Sequence, residues 1–427
     1  MELYGYPEKR GRGNMHDYKK HLIVKSVKFV LISEKKSPTL QRFFIESVTI
    51  IDQLDNFVCI IWAFFVIATI IQLAYYLFVY LRVVWRKRKR KISQVDGNIP
   101  VSVIICARNE EENLVMNLAS VLEQDYPSFE VIVVNDCSED NTEEVLSIFK
   151  QKYPHLRSTI IKKDGMFRNS KKFAATVGVK AAQHEWLLFT DADCRPESPQ
   201  WIASMSRRFL DKKDMVLGYG GYVAQKGFLN KWIRYDNCFM ALQYFGFAKS
   251  GKAYMGMGSN MAYRKSLFFA HNGFSAHAHI LSDDDGLCVN QAATKRNVAV
   301  VYSKEAHTRS VTTKTFRGWV WQKSKRITTG KYFSGWQTYW LTLEPLSRTL
   351  MWASFGVLMV ICPFWQYILA AFLARMLIFI SVVGIATKKL NEPGILRYAI
   401  FFDLAIPFVY FYVFLLNRIS LKHNKWK

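Results

Sequence analysis

The sequence has seven cysteines, and none of them form a CxxC pair. It therefore lacks both the cysteine spacing of a zinc site and the even cysteine count of a disulfide framework. Such usage is typical of a compartment in which thiols stay reduced. Acidic side chains are scarce as well: 34 Asp and Glu stand against 58 Lys and Arg, which gives a formal net charge of +24. The first strand-like run, VSVIICA, is followed by ARNEEEN and not by GxGxxG, so the fingerprint of dinucleotide-binding proteins is absent.

Charges are also missing from a long run near the N-terminus. Residues 57–81, FVCIIWAFFVIATIIQLAYYLFVYL, are uncharged and exceed the roughly 20 residues that cross a bilayer. We therefore predict a transmembrane helix at 56–85, too long and too far along the chain for a cleaved signal peptide. The basic block RKRKRK follows at 86–91, which is typical of the cytoplasmic side and predicts contact with membrane lipids, not with nucleic acid. Residues 1–55 are predicted to be a tail of unknown structure.

A second apolar zone occupies residues 345–418 and is long enough for two to three membrane helices. A turn is predicted near residues 363–366. The last stretch contains Asp403 and Pro407 and is open to two interpretations, a third span or an interfacial helix. We expect the basic tail at 419–427 to stay inside, so that the chain is an integral protein of the inner or cell membrane with its soluble middle in the cytoplasm.

Short apolar runs alternate with amphipathic stretches between residues 95 and 335. Strands separated by helices of this length predict an α/β domain with a parallel, doubly wound sheet. In such sheets, ligands bind beyond the carboxyl ends of the strands. The residues that close each predicted strand are therefore the candidate site residues.

Carboxylates close two of the predicted strands. Asp136 follows EVIVVN, and Asp191 and Asp193 follow EWLLFT. Residues two apart in a strand point to the same face, so the second pair can converge only if a cation or a shared proton relieves the repulsion. Two carboxylates together with a diphosphate would form an oxygen-rich shell for Mg²⁺ or Mn²⁺. The preceding pair Lys171 and Lys172 would suit a phosphate-rich ligand, whereas a helix cap explains only one of the two aspartates.

Four separated pieces, in this order and spacing, resemble the family 2 glycosyltransferases with the Rossmann-like GT-A fold, of the membrane-bound bacterial type. The resemblance covers about residues 95–335. The pieces are VSVIICARNEEENL, VIVVNDCSEDNT, LLFTDADCRP, and ILSDDDGL followed by QKSKRI.

The resemblance implies a nucleotide-sugar donor, with a UDP-sugar as the expected one. Asp191 and Asp193 match the family's DXD pair, in which the second aspartate usually binds Mg²⁺ or Mn²⁺. The donor-binding positions implied by the resemblance are Ala107, Glu110, Asp136, Lys172 and Asp191.

In ILSDDDGL, the resemblance implies a general base that deprotonates the acceptor hydroxyl. Alignment on the leucine places this base at Asp284, with Asp283 before it and Asp285 as the rival assignment. A competing explanation is a charged first turn of a helix, which the helix dipole would favour.

Two further segments match the diphosphate and acceptor side of the family. GMGSNMAYR supplies Gly258 and Asn260, and QKSKRI supplies Gln322, Lys325 and Arg326. The second segment departs from the family's QxxRW signature, because lysine takes the arginine position and arginine takes the tryptophan position. The departure removes the aromatic platform for an acceptor sugar and puts processive synthesis in doubt.

These observations predict an inverting, metal-dependent glycosyltransferase that acts at the cytoplasmic membrane face. Its acceptor would be a lipid-linked molecule or a glycan, because a soluble acceptor would not require membrane spans on both sides of the domain. Two alternatives stay open. One is a processive polysaccharide synthase, and the other is a catalytically silent, membrane-anchored protein that binds a nucleotide sugar.

Overall fold

The computed structural model describes residues 38–85, 99–162, 171–209, 213–275 and 284–419. The chain divides into two compact units, residues 1–63 and residues 64–427. The description below concerns mainly the second unit.

Helix α1, Pro38–Ala74, is 37 residues long and begins well before residue 56, where the sequence predicts the first helix to begin. Its sequence contains no glycine and no proline after the first residue, so nothing in it interrupts helical hydrogen bonding. A π-helical segment, Tyr75–Tyr80, and a last turn, Leu81–Val84, continue it.

The middle of the chain contains ten strands within the described residues. They are β1 Val101–Ala107, β2 Phe129–Asp136, β3 Leu156–Ile161, β4 Trp186–Asp191, β5 Arg195–Pro196, β6 Met215–Leu217, β7 Gly220–Tyr222, β8 Met261–Arg264, β9 Val298–Val300 and β10 Thr308–Ser310.

The strands form a seven-stranded sheet in the order β3-β2-β1-β4-β8-β6-β9 and a three-stranded sheet in the order β5-β10-β7. The first four strands of the large sheet are parallel, as predicted. The predicted parallel order does not extend to β8, which is antiparallel to both β4 and β6, so the sheet is mixed. The segment Gly258–Asn260 brings the chain back to the carboxyl end of β4, and β8 therefore starts at the edge where β4 ends.

Along the chain, the next helices lie between these strands, and those from α9 onward follow the last strand, β10. They are α2 Glu111–Leu122, α3 Thr142–Lys152, α4 Lys171–Ala181, α5 Trp201–Ser206, α6 Phe228–Lys249, α7 Lys265–Ala270, α8 Asp284–Ala292, α9 Phe316–Thr329, α10 Gly335–Ile361, α11 Trp365–Lys389 and α12 Ala399–Ile419.

The core of the domain lies on both faces of the parallel strands. On one face, alternate residues of β1 such as Val103 and Ile105 belong to a buried cluster with Leu118 of α2 and Trp201 of α5. On the other face, α4 packs so closely that a Cβ atom on Gly178 would lie 2.7 Å from Cγ2 of Ile104. Such a contact is too short for any side chain, so the glycine lets α4 lie closely against β1.

Three helices of the described chain are long and apolar enough to cross a membrane: Asn56–Val84, Trp365–Lys389 and Leu396–Asn417. The break between α10 and α11 lies at residues 362–364, where the sequence predicts a turn. Of the two interpretations of the last stretch, its length and composition favour a span.

A buried cluster of charged and polar side chains joins the four helices α1, α10, α11 and α12. Asp403 of α12 pairs with Arg375 of α11 at 2.7 Å and with Arg348 of α10 at 3.3 Å. Gln72 of α1 accepts a hydrogen bond from Arg375 at 2.9 Å and donates one to Ser347 at 2.9 Å. All five side chains are buried, so the charges are compensated inside the helix assembly, as such groups require.

Candidate active site

A cleft of about 500 Å³ lies at the carboxyl ends of the parallel strands. In the sheet register, Ala107 of β1 is opposite Asn135 of β2, and Cys106 is opposite Asp191 of β4. The three strands therefore end at one edge, and Ala107, Asp136 and Asp191 line the cleft together. The sequence prediction that these strand ends form one site is consistent with this placement.

The aspartate pair lies on the floor of the cleft. Asp191, Asp193 and Cys194 each place one potential ligand atom within 4.8 Å of the others. The Asp193 side chain is exposed to the cleft but protein atoms surround it on most sides, and this partial burial together with the charge of Asp191 raises its pKa. A cation near the pair would favour the ionised form.

The chemistry of this donor set fits a hard divalent cation. Burial raises the pKa of the Cys194 thiol well above its usual range, and the thiol donates a hydrogen bond to Asp193 at 3.3 Å. A neutral thiol is a poor metal ligand, because metals bind the thiolate. Two carboxylates with room for further oxygen ligands suit Mg²⁺ or Mn²⁺ better than zinc.

A lysine at the start of α4 contacts the aspartate pair, and of the two lysines named from the sequence it is not the one that the family resemblance implies. Lys171 Nζ lies 2.6 Å from Asp191 Oδ1 and lines the cleft. The predicted donor ligand, Lys172, is only 4% exposed and does not belong to the cleft wall. Successive helical residues point about 100° apart, so that only one of the two lysines can face the strand ends.

Asp136 is the end residue of β2 and is 1% exposed. Both of its carboxylate oxygens are buried without a hydrogen-bond partner among the described residues. Burial raises the pKa of Asp136, and the positive charge of Arg108 acts in the opposite direction. An ionised oxygen pair at the cleft wall with no protein donor is an acceptor that a ligand N–H group could satisfy.

Glu110 lies beside this part of the cleft, one residue before α2 begins. Its carboxylate accepts a hydrogen bond from Asn113 at 2.6 Å. Burial raises the pKa of Glu110, and the charges of Asp193 and Asp191 add to the effect. The negative charges of the aspartate pair therefore affect the ionisation of Glu110.

The small sheet forms a wall of the cleft that the sequence analysis does not identify. Gly220, Gly221 and Tyr222 of β7 line the cleft, together with Ser310 of β10 and Val311. A Cβ atom on Gly221 would lie 2.1 Å from Arg309 Nη1. The paired glycines in LGYGGY were a detectable signal, since such residues mark close approach of backbone to another group.

The structure separates the two residues predicted from GMGSNMAYR. Gly258 lines a small cavity beside Lys171 and Asp191, whereas Asn260 is completely buried. The Asn260 amide donates to the carbonyl oxygens of Tyr219 at 2.9 Å and Ala306 at 2.7 Å. Asn260 therefore holds backbone segments together and is not available to a ligand.

One face of α9 closes the cleft. Gln322, Lys325 and Arg326, all predicted from the sequence, line it together with Trp321. The Lys325 ammonium lies 3.4 Å from the centre of the Trp321 ring. The Thr315 hydroxyl accepts a hydrogen bond from the Gly318 amide at 3.1 Å and so caps the start of this helix.

The predicted general base lies outside the described part of the site. Asp283 is not among the described residues, and of Asp284 and Asp285 only the backbone, at the start of α8, is described. The role of this acidic run stays a prediction.

A buried ionic cluster ties the cleft wall to the loop between α11 and α12. Glu392 is 1% exposed and accepts hydrogen bonds from Tyr219 at 2.8 Å and Arg234 at 2.7 Å, and a third from Arg309. Arg309 of β10 also donates to the backbone oxygen of Leu390 at 2.9 Å. Because β7 and β10 line the cleft, this loop between two membrane-type helices holds one of its walls in place. We call these residues the Glu392 cluster.

Comparison with known proteins identifies the class. Residues 102–269 match the family model of Glycosyl transferase family 2. The chain therefore carries a family 2 glycosyltransferase domain with the GT-A fold, which confirms the resemblance seen in the sequence.

Among curated proteins, the chain is similar to the poly-beta-1,6-N-acetyl-D-glucosamine synthase of Staphylococcus epidermidis, with 33% identity over 105 residues, 25% of this chain and 24% of the relative. It is also similar to the probable glycosyltransferase YdaM of Bacillus subtilis, with 28% identity over 210 residues, 48% of each chain. The matches thus span between a quarter and a half of these relatives' length.

Among solved structures, a mannosyltransferase from Pyrobaculum calidifontis in complex with GDP-Man and Mn²⁺ superposes with a TM-score of 0.54 at 17% identity. The match covers 81% of this chain and 98% of that chain. This likeness concerns the fold.

Proposed function

We propose that the protein is an inverting, metal-dependent glycosyltransferase of a cell membrane. In this proposal it transfers one sugar from a nucleotide-sugar donor to a lipid-linked or glycan acceptor on the cytoplasmic side. The observation that carries the proposal is the cleft itself, in which Asp136, Asp191, Asp193 and Lys171 meet at the carboxyl ends of adjacent strands. The helices that are able to span a membrane support an acceptor presented at the bilayer.

The environment of Asp136 limits which nucleotide base the sugar donor can carry. A buried carboxylate with two unpaired oxygens is satisfied by a ring N–H donor such as uracil N3–H or guanine N1–H. Adenine and cytosine present an unprotonated ring nitrogen at the corresponding place, which would repel the carboxylate. We propose a UDP-sugar, with a GDP-sugar as the competing donor.

In the proposed mechanism, Asp191 and Asp193 hold the divalent cation, and Lys171 lies beside them where the donor diphosphate would bind. When bound, the cation would supply Lewis-acid stabilisation of the leaving diphosphate. Lys325 and Arg326, which line the same cleft, would add positive charge where negative charge develops. Asp284 is the proposed base that removes the proton of the attacking hydroxyl.

Release of nucleoside diphosphate tests this function. Membranes that contain the full chain are incubated with UDP-, GDP-, ADP- and CMP-sugars and either Mg²⁺, Mn²⁺ or a chelator. We expect metal-dependent release from one donor class, and loss of release in Asp284→Asn. Binding of a donor without turnover in any membrane extract would favour the silent binding protein, and long product chains would favour a processive synthase. Absence of binding to every donor would exclude the proposed function.

We expect Asp136→Asn to separate stability from function. Because burial raises the pKa of Asp136, the charged form is disfavoured in the folded protein, and its removal should increase the free energy of unfolding at neutral pH. Donor affinity should fall about tenfold, because the amide offers one acceptor oxygen and a donor that opposes the base N–H. Thermal unfolding and donor titration measure the two effects. A destabilised variant with unchanged affinity would contradict the assignment.

Lys171→Ala should raise the donor dissociation constant about tenfold, since a charge-assisted contact to phosphate is lost. Lys180→Ala is the matched control, because Lys180 is an exposed lysine on the same helix. The measurement is equilibrium binding of the donor in the presence of Mn²⁺. Equal affinities of the two variants would show that Lys171 only neutralises the charge of Asp191 and does not bind the donor.

A further inference from the structure

We propose that Asp236 of α6 is a positioning residue for the transfer reaction. Through its bonds to α9 and α12 it fixes the rotation of α9 about the helix axis, and so directs the cleft residues of α9 towards the substrates. The proposal rests on the glycosyltransferase function proposed above and deepens it. Asp236 acts through other side chains and does not itself line the cleft.

A single buried carboxylate, that of Asp236, connects three helices. The Lys323 ammonium of α9 donates to Oδ2 of Asp236 at 2.7 Å and to Oδ1 at 2.9 Å. The Tyr410 hydroxyl of α12 donates to Oδ1 as well. Asp236 is 4% exposed and Lys323 is 8% exposed, so water does not replace either partner of the ion pair. We call these three residues the Asp236 cluster.

Helix α9 has two faces with different surroundings. One face is buried and consists of Trp319, Val320 and Lys323. The other face lines the cleft and consists of Trp321, Gln322, Lys325 and Arg326. Successive helical residues point about 100° apart, so a rotation of about that size would bring Lys323 to the place of its neighbour Gln322. The bond between Lys323 and Asp236 therefore decides which residues of α9 face the cleft.

Packing alone does not fix this rotation. A cavity of about 10 Å³ lies behind α9, and its wall includes Trp319, Lys323 and Asp236. Gln322 and Arg326 line both this cavity and the cleft. Because close packing is interrupted on the inner side of α9, its rotation depends on directional, charge-assisted bonds. The Asp236 cluster supplies these bonds.

Charge compensation by Asp236 acts in the same direction. Burial and the positive charge of Arg326 lower the pKa of Lys323, whereas the negative charge of Asp236 raises it. Lys323 behind the helix and Arg326 at the cleft are thus close enough to repel each other. Asp236 neutralises Lys323 and so allows both cations to be held on one helix.

Helix α12 holds α9 at a second point. The Asn417 amide donates to the Ser324 carbonyl oxygen at 3.3 Å, and the Ser324 hydroxyl donates to Asn417. Tyr410 and Asn417 are about two helical turns apart, so α12 lies along α9. The helix that closes the cleft is therefore positioned by a helix that is long and apolar enough to span a membrane.

The test compares the full chain with two variants in lipid nanodiscs. In the apolar variant, Asp236→Leu, Lys323→Met and Tyr410→Phe replace the Asp236 cluster by apolar side chains of similar volume. Such an exchange of a buried ion pair usually keeps or raises stability. The control variant carries Arg317→Met and Tyr412→Phe, because Arg317 and Tyr412 are exposed residues of the same two helices.

Two native tryptophans report the rotation of α9 without any turnover, because Trp319 is 3% exposed and Trp321 is 43% exposed. The protein is labelled with fluorotryptophan, and Trp319→Phe and Trp321→Phe assign the two fluorine resonances. A water-soluble paramagnetic agent then measures the accessibility of each indole. Thermal unfolding, kcat, the donor KM and Mn²⁺ binding are measured on unlabelled protein.

We expect the apolar variant to unfold at the wild-type temperature or above, with kcat lowered about tenfold and the donor KM changed much less. Trp319 should become more accessible to the paramagnetic agent and Trp321 less accessible. Mn²⁺ binding should not change, because Asp191 and Asp193 do not lie on α9. The control variant should match the wild type in every measurement.

Either a wild-type kcat or wild-type tryptophan accessibility in a stable apolar variant would overturn the proposal, and the first result would show that the Asp236 cluster only stabilises the fold. If the apolar variant is less stable, Asp236→Asn takes its place under the same criterion, since it keeps the shape of the side chain and one acceptor oxygen. A wild type that turns over no donor would reject the transferase function, whereas the tryptophan accessibilities would still decide whether Asp236 sets the rotation of α9.

Discussion

Asp193→Ala is expected to reduce nucleoside diphosphate release by about 100-fold or more, because the cleft loses one of its two cation-binding carboxylates. Asp191 cannot compensate, since Lys171 already lies 2.6 Å from one of its oxygens. Direct binding of Mn²⁺, measured by electron paramagnetic resonance with UDP present, should weaken in parallel. This second readout distinguishes loss of the cation from loss of a catalytic group.

Asp125→Asn is the matched control for this variant. Asp125 is exposed, lies outside the cleft and accepts a hydrogen bond from Gln200 at 2.6 Å. We expect its turnover and Mn²⁺ binding to equal those of the wild type. If Asp193→Ala retained wild-type Mn²⁺ binding, the aspartate pair would not be the metal site, whatever its activity.

The second large effect is expected at Glu392. Its replacement by alanine leaves the guanidinium groups of Arg234 and Arg309 and the hydroxyl of Tyr219 without their shared acceptor. Removal of one partner from a buried ion pair costs about 3–5 kcal/mol. We expect a corresponding fall in the free energy of unfolding, together with a lower kcat, because β7, which follows Tyr219, and β10, which carries Arg309, border the cleft.

Glu392→Gln should recover part of the stability, since the amide keeps one acceptor oxygen but loses the charge. Glu305→Ala is the control, because Glu305 is exposed near the same strand. Thermal unfolding in detergent and turnover with the identified donor measure both effects. A Glu392→Ala variant as stable as Glu305→Ala would show that the Glu392 cluster does not hold the wall of the cleft.

The sequence predicts those parts of the site that depend on local pattern. Asp136 and the Asp191–Asp193 pair follow apolar runs of strand length, and the parallel sheet brings such ends together whatever the rest of the fold. Gln322, Lys325 and Arg326 were named because QKSKRI resembles the family's QxxRW signature. For the strand ends, spacing along the chain is enough to predict proximity in space.

Other features depend on helix phase or on contacts between distant segments. Lys171 and Lys172 are adjacent, so only the rotation of α4 on the sheet decides which of them meets Asp191. The burial of Asn260 follows from its bonds to Tyr219 and Ala306, which are remote in sequence. The short strand β8, MAYR, carries no pattern that would distinguish a parallel from an antiparallel neighbour, so its direction could not be inferred.

The pairing of Asp403 with Arg375 and Arg348 has a consequence for biosynthesis. A lone aspartate or arginine at the centre of an isolated helix costs about 3 kcal/mol on entry into the bilayer, and Arg375 lies near the middle of α11, whereas Asp403 lies in the second turn of α12. The pairing of Arg375 with Asp403 would neutralise both groups if α11 and α12 entered the bilayer together. We therefore expect a chain truncated after residue 395 to be recognised by quality-control proteases, because Arg375 would have no counter-ion on α12.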